Sequence, residues 1–165
     1  MQLTSFSDYA LRVLIYAAAR PETRCQTGDA AAAFGISRHH AVKVVNELQH
    51  LGYLETIRGR EGGFTLAVPP DRIRIGAVVR RTEGSMTLVE CFDPVANTCP
   101  LARACGLERV LHGAFDAFLS VLDRHTLADL IGAPRSMARV LALGTRPRRT
   151  MPGRSRTRRV AGATR

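Results

Sequence analysis

Apolar side chains recur at helical spacing along the start of the chain. Between Thr4 and Arg20 they follow an i, i+4, i+7, i+8, i+11 pattern that places them on one helical face: Phe6, Ala10, Val13, Leu14 and Ala17. Pro21 and the polar stretch after it are typical of a helix end. The pattern predicts one amphipathic helix.

Two shorter helices are predicted next. An alanine-rich helix fits Gly28–Phe34, and Gly35 suits the left-handed residue that ends many helices. Ser37 is a favourable N-cap for a third helix over Arg38–Leu51, which Gly52 would close. One apolar stripe runs along this third helix: Ala41, Val44, Val45, Leu48 and Leu51.

The periodicity changes from helical to β-like after the third helix. Tyr53–Ile57 and Phe64–Val68 are short β-prone runs, and the connection between them, residues 58–63, contains three glycines. Such a connection is typical of a hairpin with an exposed tip. Three short helices followed by this hairpin predict a winged helix-turn-helix over residues 1–70.

Residues 71–134 are predicted to form a second, helical part. A helix near Ile75–Arg81 leads into a cysteine-rich segment, Glu90–Cys105, which we call the cysteine loop. A long helix over Gly106–Asp123 follows, and Thr126–Ile131 adds one or two turns. The long helix is apolar on more than one face, so one side must pack on something other than its own domain. A second copy is the simplest partner, which predicts a twofold homodimer.

The fold class is therefore mainly α with a small β-hairpin: a winged helix-turn-helix plus a long dimerisation helix. The net charge of +10 lies entirely in residues 135–165, which contain ten arginines and no acidic residue. We expect this segment to be a disordered tail, because it is rich in Arg, Pro, Gly and Thr. A basic tail raises the net charge whatever the folded part does, so the total charge alone is a weak sign of nucleic-acid binding.

A donor-rich face lies opposite the apolar stripe of the third helix. Its side chains are His39, Lys43, Asn46 and His50, with Arg38 and His40 at the N-terminal end. An isolated polar stripe is more often a solvated helix face. This helix, however, is the second of a helix-turn-helix and precedes a wing that carries Arg58 and Arg60. Because such helices enter the major groove, we predict that this surface binds double-stranded DNA.

Three of the four cysteines fall in the cysteine loop: Cys91, Cys99 and Cys105. Structural zinc sites pair cysteines two to four residues apart, and this spacing is wider. It favours an iron–sulfur cluster, whose irons take thiolate ligands, over three thiols packed as small apolar side chains. The fourth ligand stays open between Cys25, Asp93, His112 and a residue of another subunit.

Several runs of the sequence carry a family resemblance. They are Met1–Tyr9, His40–Lys43, Gly52–Gly63, Cys99–Leu101, Ala104-Cys105 and Thr126–Leu130. As a set they resemble the winged-helix iron–sulfur transcriptional regulators, the family that includes IscR and RirA, and within it the nitric-oxide-sensing repressors. The similarity covers about residues 1–143.

The resemblance implies a homodimeric repressor with one iron–sulfur cluster per subunit, either 2Fe–2S or 4Fe–4S, held by Cys91, Cys99 and Cys105. It also implies that Asp8 of the partner subunit completes the coordination. Taken alone, Asp8 lies four residues before Arg12, and a surface ion pair would explain it equally well. Cys25 matches no ligand position of the family.

The expected function is a cytoplasmic repressor that responds to nitric oxide and whose cluster controls binding to a near-palindromic DNA operator. The same architecture suits a sensor of iron or of cluster supply, and the cysteine spacing does not separate the two. An iron–sulfur electron carrier and a protein-interaction domain with inert cysteines are more distant alternatives. We expect no enzyme activity, because the sequence lacks a nucleotide-binding loop, a nucleophile motif and paired catalytic acids. We also expect no membrane span, because no apolar run reaches roughly 18 residues.

Overall fold

The computed structural model describes residues 2–57, 59, 62–84, 86–93, 95–101 and 104–144, with 143 and 144 described by their backbone alone. Its first helices are α1 (Ser5–Ala18), α2 (Thr27–Phe34) and α3 (Arg38–His50). The Ser37 hydroxyl accepts a hydrogen bond from a backbone N–H and caps α3, and Gly35 ends α2 with a φ of 65°. The three predicted helices are confirmed, with ends that shift by one or two residues.

An antiparallel hairpin follows α3 and forms the predicted wing. Its strands are β1 (Leu54–Ile57) and β2 (Gly63–Leu66). The backbones of Cys25 and Phe64 exchange two hydrogen bonds of 2.9 Å, which tie the root of the wing to the loop before α2. The Phe64 side chain is fully buried in the core. The wing is therefore anchored at its base, and the predicted winged helix-turn-helix is confirmed.

Among the described residues, four more α-helices follow the wing: α4 (Ile75–Thr82), α5 (Gly106–Asp123), α6 (Leu127–Ile131) and α7 (Pro134–Gly144). α5 has the predicted bounds and packs on α4, where Arg80 and Asp123 form a two-pronged ion pair. Leu119 of α5 is buried, whereas Leu107 and Val110 are 63% and 67% exposed. In the single chain, α5 therefore leaves apolar side chains uncovered.

The main core lies between α1 and the helices around it. The apolar stripe of α1 that the sequence predicts is buried, apart from the half-buried Phe6. A polar link joins the same helix to α4, because the buried hydroxyl of Thr82 donates to that of Ser7 at 2.9 Å. The backbone N–H of Thr4 also donates to Glu83 at 2.9 Å. The first turn of α1 is thus fixed to the end of α4.

The prediction of a disordered tail from residue 135 is wrong for its first part, residues 135–144, which are helical and belong to α7. Met137, Ala138 and Leu141 pack on the core at helical spacing. Their burial holds the helix in place although arginines stand between them. Residues 145–165 lie outside the described residues, and disorder there stays a prediction.

Candidate functional site

α3 presents the predicted donor-rich face. Four of its apolar side chains are buried, and the helix packs against α1 and α2. The six predicted residues are all exposed: Arg38, His39, His40, Lys43, Asn46 and His50. The Nδ1 atom of His50 lies 2.8 Å from the carbonyl oxygen of Asn46, so this ring is held against its own helix. The face offers the hydrogen-bond donors that contact base edges and phosphates.

A cleft of about 270 Å³ separates α3 from the wing. The Thr56 hydroxyl of β1 donates to Oε1 of Gln49 on α3 at 2.5 Å, across this cleft. On the other side, the Gln26 side-chain amide donates to the Gly62 carbonyl. The first bond fixes the wing relative to α3, and the second fixes it to the start of α2. The two predicted wing contacts lie outside the described residues: Arg58 and Arg60.

Cys25 lies in the core beneath the wing, away from the cysteine loop. Its side chain is buried, and this burial raises the pKa of the thiol to about 11. A cysteine binds metal as the thiolate, and the buried site disfavours that form. Among the candidates for the fourth ligand, the structure therefore argues against Cys25.

The cysteine loop holds its shape through its own carboxylates. Oε1 of Glu90 accepts hydrogen bonds from the backbone and the hydroxyl of Thr98, both at 2.6 Å. Oδ1 of Asp93 accepts bonds from the backbones of Val95 and Ala96. These bonds lower the pKa of both carboxyl groups. Asp93 is committed to the loop backbone, which argues against it as a cluster ligand.

The loop carries three half-buried thiols, and none of them forms a disulfide: Cys91, Cys99 and Cys105. Partial burial raises the pKa of the Cys91 thiol, and negative charge at Glu108, Cys105 and Cys99 adds to the increase. Cys99 and Cys105 therefore each lie within electrostatic range of Cys91.

The chemistry of these thiols fits an iron–sulfur cluster, because soft thiolates are the ligands that its irons take. A bound cation would also reverse the upward pKa shift of Cys91. Within the part of the chain that the structure describes, no three His, Cys, Asp or Glu side chains converge on a metal position. The donor set is thus suitable, and its assembly around a cluster stays a proposal.

Phe92 fastens the cysteine loop to α5. Its ring stacks on the imidazole of His112, with centroids 3.8 Å apart and planes within 5°, and meets Phe115 edge-on at 6.0 Å. The stack fixes the orientation of the His112 ring but does not cover its in-plane nitrogen atoms, so His112 stays open as a candidate for the fourth ligand. The residues predicted from the sequence do not include Phe92. It is the one aromatic residue of the loop and directly follows Cys91, which is the signal that could have revealed it.

Asp8 forms an ion pair with Arg12 on the next turn of α1. Nε of Arg12 lies 2.9 Å from Oδ1 of Asp8, and Nη2 lies 2.9 Å from Oδ2. Both side chains are about two-fifths exposed, so the carboxylate is accessible from outside the chain. The Arg12 guanidinium also lies over the Phe34 ring at the end of α2, 5.9 Å from its centroid.

Tyr9, the residue after Asp8, contacts the helix-turn-helix formed by α2 and α3. It packs on a small cluster formed by Ala31, Ile36 and Ala41. Its ring centroid lies 6.1 Å from that of His40 in the first turn of α3. The turn of α1 that carries Asp8 therefore contacts both α2 and α3. The sequence gives no signal for this contact, because it depends on how the three helices pack.

A winged helix-turn-helix whose second helix exposes hydrogen-bond donors defines a class, the DNA-binding transcriptional regulators. The chain belongs to the Rrf2 family, described as iron-dependent transcriptional regulators, whose family model matches residues 3–133.

Relatives and a solved structure agree with this assignment. The chain is 52% identical to the HTH-type transcriptional regulator NsrR of Geobacillus kaustophilus over 142 residues, 86% of this chain and 97% of that relative. It is 45% identical to NsrR of Bacillus subtilis over 144 residues, 87% of this chain and 99% of that relative. The structure of CymR, the global cysteine regulator of B. subtilis, matches with a TM-score of 0.62 and 27% identity, over 79% of this chain and 95% of that one.

The resemblance predicted from the sequence is thus confirmed, and with it the role of a transcriptional regulator. Over the described residues, the structure contains no helix with the length and apolar character that crossing a membrane requires.

Proposed function

We propose that this protein is a homodimeric repressor that responds to nitric oxide and whose iron–sulfur cluster controls its binding to a near-palindromic DNA operator. The observation that carries the proposal is the position of Asp8. It lies on the turn of α1 that contacts both helices of the helix-turn-helix, through Arg12 and Tyr9. The iron-dependent family and the relatives named NsrR support the choice of cofactor and signal.

DNA is bound by two copies of the α3 face. Asn46 and His39 contact base edges in the major groove, Lys43 lies beside them, and the wing contacts phosphates. The second copy docks on α5, where Leu107 and Val110 are exposed. Two reading helices related by a twofold axis require half-sites about 34–36 Å apart.

Cys91, Cys99 and Cys105 would hold the cluster, and Asp8 of the partner subunit would be the fourth ligand. When bound, the cluster supplies iron, to which nitric oxide binds strongly. A carboxylate oxygen is a harder donor than a thiolate, so Asp8 would be the weakest of the four ligands. When it is not a ligand, its carboxylate pairs with Arg12, as it does in this structure.

Asp8 therefore has two alternative partners. Drawing it toward the cysteine loop of the other subunit takes the carboxylate away from Arg12, whose guanidinium lies over Phe34 of α2. The same movement acts on Tyr9, which packs near His40 of α3. The state of the cysteine loop in one subunit thus affects the position of the winged helix-turn-helix in the other subunit. A twofold operator tolerates little change in the separation or angle of the two winged helix-turn-helix domains.

The DNA surface is tested by selecting binding sites from random duplexes with anaerobically purified, cluster-loaded protein. We expect a near-palindromic site. Asn46→Ala should change the preference among bases. Arg60→Ala should instead weaken binding to all DNA sequences alike and lower the slope of log K against log salt concentration by about 1. Arg72→Ala is the matched control, an exposed basic residue in the turn before α4. If Asn46→Ala and Arg60→Ala bind operator and random DNA like the parent, the assignment of the surface is wrong.

The ligand set is tested on the same selected site. Each of Cys91→Ala, Cys99→Ala and Cys105→Ala should lose the cluster and bind the site poorly, as a permanently derepressed protein would. Cys25→Ala should keep both the cluster and operator binding, because its thiol lies in the core beneath the wing. Retention of iron and of operator binding by all three loop variants would contradict the assignment.

A further inference from the structure

One face of α5 receives the cysteine loop. The Phe92 ring contacts His112 and Phe115, which are three residues apart. Glu108 lies one turn before His112, with Oε1 at 3.9 Å from Nε2 of that ring. Helix positions at this spacing share a face. The negative charge of Glu108 acts on the Cys91 thiol, so Cys91 also lies beside this face.

Phe92 and Cys91 belong to the same short turn of the loop. The backbone N–H of Phe92 donates to the carbonyl of Val89, and that of Asp93 donates to the carbonyl of Glu90, both at 3.0 Å. These bonds close one turn of 3-10 helix, in which Cys91 directly precedes Phe92. Because the turn is held by its own hydrogen bonds, the position of the Phe92 ring on α5 also sets the position of Cys91.

The contact of Phe92 with α5 lies outside the main core. The Phe92 side chain is half-buried, and the His112 side chain on which it stacks is 48% exposed. Parallel rings with centroids 3.8 Å apart nevertheless favour one arrangement of the pair. Because the stack is partly open to solvent, we expect it to matter more for the position of the loop than for the stability of the core.

A different face of α5 is left for the second copy. The exposed side chains of Leu107 and Val110 do not share the face that carries His112 and Phe115. In the proposed dimer, α5 would therefore carry the cysteine loop on one face and the contact with the other subunit on another. A loop held on α5 is thereby held at a fixed position relative to the partner.

We propose that Phe92 is a positioning residue for the iron–sulfur cluster: by stacking on His112, it holds the turn that contains Cys91 against α5. This role rests on the function proposed above and deepens it, because it names a residue outside the ligand set on which the cluster depends. Phe92 acts through Cys91 and is not itself a ligand. Loss of a residue that orients a metal ligand typically lowers metal affinity by roughly 10- to 100-fold.

The test compares the parent with a panel of full-length variants. Phe92→Ala removes the ring, Phe92→Leu keeps apolar bulk without a ring, and Phe92→Tyr keeps the ring. His112→Phe keeps a ring for Phe92 to stack on but removes the two nitrogen atoms. Leu101→Ala is the matched control, because Leu101 is an apolar residue of the same loop that is 62% exposed.

Two measurements are made on the anaerobically loaded dimers. They are the rate at which iron passes to a chelator and the visible circular dichroism of the cluster, which depends on the geometry of its thiolate ligands. Phe92→Ala and Phe92→Leu should release iron about tenfold faster than the parent and show altered circular dichroism. Phe92→Tyr, His112→Phe and Leu101→Ala should match the parent in both.

Two further measurements use the cluster-free protein and separate positioning from a role in stability. Amide hydrogen exchange at Phe92 and Asp93 should be faster in Phe92→Ala and unchanged in Leu101→Ala. The melting temperatures of these two variants should agree. A much lower melting temperature in Phe92→Ala would overturn the inference, because it would show a structural role. Loss of the cluster in His112→Phe would also overturn it, because His112 would then act through its nitrogen atoms.

Failure of this role is distinguishable from failure of the proposed function. A parent dimer that takes up no iron–sulfur cluster would contradict both. A parent that loads its cluster and releases operator DNA on adding nitric oxide, together with a Phe92→Ala variant that matches it in iron release and circular dichroism, would overturn the role of Phe92 alone.

Discussion

The ring of Tyr9 on α1 lies 6.1 Å, centroid to centroid, from the imidazole of His40 in the first turn of α3. The preceding residue, Asp8, is the proposed ligand to the cluster of the other subunit. One turn of α1 thus joins the ligand to the helix that reads DNA.

Removing the Tyr9 ring should uncouple the state of the cluster from DNA binding by α3. We expect Tyr9→Ala to load its cluster normally but to show a smaller difference in operator affinity between the cluster-loaded and cluster-free dimers. Tyr9→Phe keeps the ring contact and should behave like the parent. The measurement is operator affinity by fluorescence anisotropy under anaerobic conditions. A full-sized difference in Tyr9→Ala would show that coupling does not pass through this contact.

Asp8→Ala should affect the cluster far more than the fold. An exposed ion pair on one helix contributes about 0.3–0.5 kcal/mol, so urea unfolding of the cluster-free protein should change by no more than that. Iron should nevertheless be released faster from the loaded dimer, and the response to nitric oxide should change. Asp29→Ala, which removes an exposed acid from the first turn of α2, is the control and should do neither. Equal iron release from the two variants would remove Asp8 from the ligand set.

The buried thiol of Cys25 should make stability fall at high pH. Because burial raises its pKa from 9.0 to about 11, the folded state favours the protonated thiol. This contribution is complete below pH 9 and is lost as the pH rises from 9 toward 11, by about 2–3 kcal/mol in total. Cys25→Ala should flatten this part of the stability–pH curve. In the cluster-free protein, Cys25 should also react with an alkylating reagent only on unfolding, whereas the loop cysteines react at once; fast labelling of Cys25 would contradict its burial.

Gly76 and Asp123 should stabilise the packing of α5 on α4 jointly, so that the effects of changing them are not additive. A Cβ on Gly76 would overlap the Asp123 carboxylate, which pairs with Arg80. We expect Gly76→Ala and Asp123→Asn each to lower the melting temperature, and the double variant to be little worse than either. Gly84→Ala, with open space at its Cβ, is the control.

The same ion pair predicts a pH dependence. The hydrogen bonds from Arg80 lower the pKa of the Asp123 carboxyl group. Its stabilising contribution is therefore present above the ordinary pKa of the group, 3.8, and is lost as the pH falls through the lowered value. The difference in melting temperature between the parent and Asp123→Asn should disappear in acid. A difference that persists there would mean that the ion pair is not its cause.

The helix-turn-helix could be predicted from the sequence because its signals are local. The apolar spacing of α1 and the caps at Ser37 and Gly35 depend on neighbouring residues alone, and the structure has them where the sequence predicts. α7 was harder to predict, because arginines alternate with the apolar side chains that bury it and its stability comes from packing on α1 and α2.

The candidate site could be predicted only in part. The sequence reveals the three loop cysteines and the donor-rich face of α3, since both are marked by residue type and spacing. It could not argue against Cys25 or Asp93 as the fourth ligand, because burial beneath the wing and hydrogen bonds to the loop backbone are tertiary facts. Whether Asp8 is a ligand depends on a contact between two subunits, and the sequence of one chain does not reveal such a contact.

In the proposed function, a cluster held by Cys91, Cys99 and Cys105 controls operator binding in response to nitric oxide. The most direct test titrates nitric oxide into the anaerobic, cluster-loaded dimer bound to its selected operator and follows cluster absorbance and DNA release together. We expect tight binding of the loaded dimer, release of DNA in step with loss of the cluster absorbance, and weak binding of cluster-free protein. Destruction of the cluster without release of DNA, or operator binding by the cluster-free dimer as tight as by the loaded one, would contradict it.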